Sequence, residues 1–328
     1  MRAALFALSL LTASAADILL VVEKNNDSVG FYNLATGAPV ASVKVGHIPH
    51  EFVFSADGKS LYVTNYGTAR WTDDAPGGNT ISIIDLATKQ VTGEINLGQY
   101  HRPHGIELGR SGKLYVTCDL PSAVLIIDPL QRKIERAIPY AAKVLPHMLA
   151  LTRDEKKFYT ANAGNAAITV HDLKTGLSKH LEVGGVPMGL ALTGDEKTIY
   201  VATRTADTVV EIDTQKWAIR RTLNIEGQPV RLQLLPGEKQ ILASLIVDGA
   251  MAVIDLKSGK EIKRLKVGLN AEGMHIDPRT NEGFVSAQGE KRVVRFSLKT
   301  FEKNGVVATQ ERPDPILIWR PVGSANSR

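Results

Sequence analysis

One cysteine, Cys118, stands in 328 residues, so an intrachain disulfide is excluded and stability has to come from packing. Cys118 replaces Asn in a recurring Tyr-Val-Thr-Asn pattern and reads as a small strand-end residue. Several chemistries lack their signatures: there is no Gly-x-Ser-x-Gly elbow, no Cys-x-x-Cys, no haem-attachment pair and no phosphate loop. After the first residues, no apolar run is long enough for a membrane helix. Lys and Arg form no block dense enough to read as a nucleic-acid arm.

What the N-terminus does contain is an export pattern. Arg2 supplies a positive start, Ala3 to Leu11 a short apolar core, and Ala13-Ser14-Ala15 a small-residue cleavage site. Residues 1–16 are therefore expected to be a signal peptide, with 17–328 a single domain that is periplasmic or secreted. Without Arg2 the chain carries 38 basic against 34 acidic side chains, a mild excess.

The strongest signal is a repeat. Gly46-His47-Ile48-Pro49-His50-Glu51-Phe52 leads to Ala56-Asp57-Gly58-Lys59 and then Tyr62-Val63-Thr64-Asn65. Copies start at Pro103, Pro146 and Pro187, and weaker ones at Pro229, Ala271 and Pro313. These starts are 54, 43, 41, 42, 42 and 42 residues apart, and each step holds several short strand patterns, as propeller blades do. Six repeats are complete. Ile18–Val22, Ser28–Asn33 and Val40–Val45 read as three strands with no first strand before them, while Pro313 to Trp319 is a first strand with no blade after it. The expected fold is all-β: a seven-bladed propeller of four-stranded antiparallel blades, closed by the C-terminal innermost strand joining three N-terminal strands. Closure leaves no terminal edge free to aggregate.

With Tyr62-Val63-Thr64-Asn65 present verbatim, the chain resembles the YVTN-repeat family of exported seven-bladed propellers, of which YncE-like proteins are a branch. The resemblance spans essentially the whole mature chain. It implies the fold and, for this branch, ligand or surface binding, with single-stranded DNA one candidate ligand. It transfers no catalytic residue set.

In such a meander the residue after each repeating Pro marks a ring around one mouth of the channel: His50, His104, His147, Met188, Val230, Glu272 and Asp314. Closure makes Asp314 the neighbour of His50, which gives an arc of potential metal ligands: His50, His104, His147, Asp314 and Glu272. With blades about 51° apart in a seven-fold ring, three imidazoles could converge on one transition-metal ion, such as zinc, copper, manganese, nickel or iron. The competing reading is that the rings pack between blades, since His50 shares strand parity with Phe52 and Phe54. His47 and His101 sit upstream on the same face, whereas His171 and His180 read as surface residues on outer strands.

The long first step comes from an insertion, Tyr66 to Asn79, on the same face, and Arg70, Trp71, Asp73 and Asp74 are candidate ligand-binding residues there. Glu107, Arg231 and His275 are expected to line the tunnel below. Three functions follow: a binding or scaffold propeller taking a small molecule, glycan or protein at the histidine face; a metal-dependent enzyme at that mouth; or a nucleic-acid binder. The last has only scattered basic residues such as Lys156-Lys157 and Arg220-Arg221. Neither motif nor spacing decides whether the chain is an enzyme.

Overall fold

The computed structural model describes residues 16–321, so the expected export signal lies outside the described residues except for Ala16. Among the described residues, twenty-eight strands form seven separate four-stranded antiparallel sheets, each a blade. Blade 1 is the split one: Pro313–Trp319 pairs with Ile18–Glu23, which continues to Ser28–Asn33 and Pro39–Lys44. Blades 2 to 7 follow in chain order over 49–96, 101–139, 146–182, 187–224, 229–266 and 271–308. Ile18 lies opposite Trp319 and Leu20 opposite Leu317, which closes the ring with backbone hydrogen bonds. Three of the expected N-terminal strand limits move by one residue: the first strand ends at Glu23 and the third runs over Pro39–Lys44.

Each blade buries both faces against its neighbours, so its middle strands are mostly apolar. Leu61, Val63 and Ile84 of blade 2 pack with Ile18, Leu20 and Phe31 of blade 1. On the other face, Tyr62, Ile81 and Ile83 meet Leu114, Val116 and Leu125 of blade 3. Full burial of one such side chain is worth about 1.5–3 kcal/mol. The outermost strands are polar, as in Lys260–Lys266, and their lysines discourage edge-to-edge pairing. His171 departs from its surface assignment: it is buried, with its ring 5.1 Å from that of Phe158, because both faces of a third strand are covered by adjacent blades.

Helical structure among the described residues is confined to three short 3-10 turns, Lys24–Asn26, Arg204–Ala206 and Gln288–Glu290. All three directly follow a second strand, and each is closed by a residue at positive φ, Asp27, Asp207 or Lys291. Among the described residues no helix is long and apolar enough to cross a membrane.

Candidate ligand site at the channel mouth

The geometry of the mouth starts from an irregularity in the innermost strands. Pairing of first and second strands slips between Pro49 and Phe52, and the same slip recurs after Pro103, Pro146, Pro187, Pro229 and Ala271. A bulge places two consecutive residues where regular pairing would place one. His50 therefore lines an upper cavity and Glu51 a lower one, as do His147 and Met148 in blade 4. The strand parity linking His50 to Phe52 is broken by this slip. The Thr of the Tyr-Val-Thr-Asn motif holds the bulge: Thr64 Oγ1 accepts from the Glu51 amide at 2.9 Å and donates to the His104 carbonyl of the next blade at 3.0 Å. Thr117 repeats this between Gly105 and His147, at 2.8 Å each.

The three imidazoles come together as a stack. The centroids of His50 and His104 are 3.8 Å apart, and those of His104 and His147 also 3.8 Å, with tilts of 42° and 38°. Tyr66 stands edge-on to His50 and His104 at 5.5 Å, and its hydroxyl donates to Asp119 at 2.5 Å. Burial holds all three histidines neutral. For His50, Lys24 and Arg231 add to the effect; for His104, the flanking imidazoles; for His147, whose pKa falls to about 3, Arg231. The Nδ1 atoms of His104 and His147 are buried without a hydrogen-bond partner.

Beneath the stack lies a network of buried charge. Lys24, only 1% exposed, places Nζ 2.7 Å from Asp314 Oδ2 and 2.9 Å from His50 Nε2. An ammonium only donates, so His50 Nε2 is the acceptor and Nδ1 carries the proton that points to Glu51 Oε1 at 3.3 Å. Glu51 is held by Arg231 from across the channel, and Arg231 also approaches Asp314 at 3.6 Å and Met148 Sδ at 3.2 Å. Burial alone would lower the Arg231 pKa, but Glu51, Asp314 and Glu272 outweigh it and hold the guanidinium charged. Glu272, raised by burial and by Asp314, accepts from Gln288 Nε2 at 2.6 Å.

This network separates two cavities that share no lining residue: the upper of about 420 Å³ and the lower of about 280 Å³. Glu107, Arg231 and His275 all line the lower one. Protein encloses Glu107 although its side chain is open to the channel, and burial, helped by Glu51, raises its pKa to about 7; His275 is pushed down to about 4 by burial.

The insertion forms a wall of the upper cavity. Arg70 and Trp71 line it, whereas Asp73 and Asp74 do not. Asp73 instead accepts from the Arg70 amide at 2.9 Å. The buried guanidinium of Arg102 runs under the loop and donates to the carbonyls of Trp71 (2.8 Å), Asp73 and Ala75, while Arg312 donates to that of Ala69 at 3.1 Å. At the base of the loop, Gly67 and Gly78 lie so close that a Cβ on Gly67 would sit 1.9 Å from the Gly78 nitrogen. His47 and His101 stay out of the cavity lining: His47 faces Asp27 at 3.2 Å, and His101 faces the Gly77 carbonyl at 3.2 Å.

No family model matches this chain, and no curated protein matches it. Solved structures do. A chain of Kuenenia stuttgartiensis hydrazine synthase aligns with a TM-score of 0.72 at 18% identity, covering 85% of this chain and 92% of that one. The dihydro-heme d1 dehydrogenase NirN, solved in complex with DHE, aligns with a TM-score of 0.67 at 17% identity, over 90% of this chain and 64% of that one. A functionally unknown protein from Desulfotomaculum acetoxidans reaches 0.75 at 15% identity, over 93% and 100%. At these identities the likeness is one of fold: this chain is a seven-bladed β-propeller.

Sequence reasoning missed two sets of residues. Glu51 and Met148 occupy the position two after the repeating Pro, the same position as Arg231, and reading that register blade by blade would have exposed the Glu51–Arg231 pairing. Lys24, Tyr66, Arg204, Ile246 and Gln288 each directly follow a second strand and form a second ring around the mouth. Lys24 stands in a Lys24-Asn25-Asn26-Asp27 stretch that reads as a turn between two strands.

Could the mouth hold a metal? Donor atoms of His50, Glu51 and His104 lie within 4.8 Å of one another. The lone pair of His50 is engaged by Lys24 and the Glu51 carboxylate by Arg231, so an ion has to displace both cations. His104 and His147 carry no such competitor at Nδ1.

Proposed function

We propose that this chain is an exported binding propeller, of the YVTN-repeat kind its sequence resembles, that takes a small-molecule ligand in the histidine-lined mouth. The observation that carries this reading is the cavity of about 420 Å³, floored by buried ion pairs and walled by two rings of side chains and a pinned loop. That volume is within the usual range for small-ligand sites, and polar groups converge on an apolar wall as such sites require. Thermal-shift screening of the intact protein against a small-molecule library tests it. A hit should raise the melting temperature of the parent protein and lose its effect in Trp71→Ala and His104→Gln. A library that leaves the melting temperature unmoved throughout overturns the reading.

A second reading has specific support from the His50, Glu51 and His104 cluster: a metal-dependent enzyme with His147, Asp314 or Glu272 completing or flanking the site. A bound zinc, copper, manganese or iron ion would supply Lewis-acid or redox chemistry. The chain's own contribution is two buried imidazoles with free Nδ1 atoms and a carboxylate that Arg231 orients. Metal analysis after loading and dialysis separates the readings: one equivalent that disappears in His104→Ala supports the enzyme, and none leaves the binding protein. Nucleic-acid binding loses support, because Arg220 and Arg221 are engaged in ion pairs with Asp213 (2.8 Å) and Glu211 (2.6 Å) of their own blade.

A further inference from the structure

Taking the mouth as a small-molecule site, the reading on which this inference rests, we propose that its ligand is an organic oxyanion: a molecule with a carboxylate or phosphate group on an apolar body. Four cationic side chains, Lys24, Arg70, Arg204 and Arg312, line the upper cavity, against a single carboxylate, Glu272, on the same surface. Lys24 is balanced from beneath by Asp314. The three arginines have no carboxylate within ion-pair distance among the described residues, and one lining carboxylate, Glu272, offsets only part of their charge. Arg220, Arg221, Arg264, Arg292, Arg295 and Arg320, elsewhere on the molecule, all pair with carboxylates.

The side-chain bonds that Arg204 and Arg312 do make go to neutral acceptors. Arg204 Nε donates to Gln228 Oε1 at 3.0 Å; Arg312 donates to Gln288 Oε1 at 3.4 Å and to the Ala69 carbonyl at 3.1 Å. Such bonds orient a guanidinium without neutralising it, and a guanidinium presents five N–H donors in a fork that matches a carboxylate or phosphate. The single lining carboxylate, Glu272, accepts its hydrogen bond from Gln288, and Lys24 and Arg312 act on it only through longer-range attraction. The mouth thus has a surplus of positive charge, of which Lys24 is buried and Arg204 and Arg312 are half-buried and held in place, where charge attraction is stronger than in bulk water. Neutral imidazoles add to this: His104 is 2% exposed and, like His147, has an Nδ1 without a partner. A neutral ring can donate to an oxyanion from one nitrogen without bringing further charge to a crowded site.

An inorganic ion would use only the cations. Trp71, Ile48, Met188 and Ile246 form an apolar portion of the same lining, so the matching ligand is an acid with a hydrocarbon or aromatic body. Carboxylate and phosphate share the recognition chemistry, and the test separates them.

The experiment is calorimetric titration and thermal shift of the intact protein with matched sets: organic carboxylates with their amides, phosphate monoesters with their alcohols, and inorganic phosphate alone. The expected result is binding of at least one organic anion at least tenfold tighter than its neutral counterpart, weakening as salt rises. Arg204→Gln and the exposed-loop variant Arg70→Gln should each lower that affinity about tenfold, the order expected for one charge-assisted hydrogen-bonded contact, while the unliganded melting temperature stays within a degree or so of the parent. If carboxylates bind and phosphate esters do not, or the reverse, the source is assigned within the proposal. Neutral members binding as tightly as their anions would overturn the proposal and leave the small-molecule reading standing. If nothing in any set binds, both fall.

Discussion

Lys24 and Asp314 are among the least exposed charged residues of the chain, and their separation of 2.7 Å makes each the condition for the other's burial. Removing one partner of a buried pair leaves a charge without water or counterion, which costs about 3–5 kcal/mol. Lys24→Met should therefore destabilise the protein by that order in urea melts, and adding Asp314→Asn should recover part of the loss; additive losses would show that the pair is not coupled. The histidines give a pH signature of definite sign. Their native pKa values lie below the ordinary imidazole value. Below about pH 6.5 the unfolded chain therefore binds protons that the native state refuses, and stability is full above that pH and declines as pH falls toward the native values. Glu272 and Glu107 act oppositely, since their raised pKa values favour the native state at low pH and that contribution is lost as pH rises. The difference between variants isolates the histidine contribution. His104→Gln should flatten the decline between pH 6 and pH 4 by up to about 1.4 kcal/mol per pH unit relative to the parent. An unchanged slope in denaturation at pH 4, 5 and 6 would mean that His104 is charged in the native state.

At the level of strands, the bulged first strand and the hydroxyl of the second form one device. Thr64 serves its own blade through the Glu51 amide and the next blade through the His104 carbonyl, so the residue that positions the bulge also fixes the spacing of the histidines. Thr64→Val keeps the shape but leaves a buried amide and a buried carbonyl each short of a partner, a loss of about 1–3 kcal/mol. Thr64→Ser should retain most of the stability. Where the hydroxyl matters for the mouth as well, Thr64→Val should weaken ligand binding in titration more than a Val substitution at Thr92, which donates only a long bond within its own blade. The 3-10 turns work in the same way: each turns the chain sharply after the second strand, and its first residue, Lys24, Arg204 or Gln288, lines the cavity.

For the molecule as a whole, the decisive contact is the closure of blade 1. A chain ended at Arg312 would lack Pro313–Trp319, leave Ile18–Glu23 as an unpaired edge and remove Asp314 from under Lys24. Such a chain is expected to aggregate, and size-exclusion chromatography with far-UV circular dichroism would show it; a soluble truncated monomer with parental strand content would refute ring closure as the stabilising step. Closure also brings together Arg231 and Glu51, 180 residues apart in the chain, which meet across the channel between blades 6 and 2.

Blade number and the split blade were readable from the chain, as was the place of His50, His104, His147, Met188 and Glu272 at the cavity, whereas Val230 and Asp314 are buried outside its lining; a repeat of about forty residues with short apolar strands records its own geometry. Two features of the mouth were not. The bulge leaves no distinctive residue type, so nothing local to Glu51 shows that it meets Arg231, in the same register of another blade, across the channel. Lys24 reads as a turn residue because its partners, His50 and Asp314, are brought to it by two other segments, one of them at the opposite end of the chain. Local pattern fixes which strands form and where they turn, since propensity and alternation act over a few residues. Which charges face each other across the axis was decided only when seven sheets closed into one ring, because that is a relation between residues that no stretch of sequence contains.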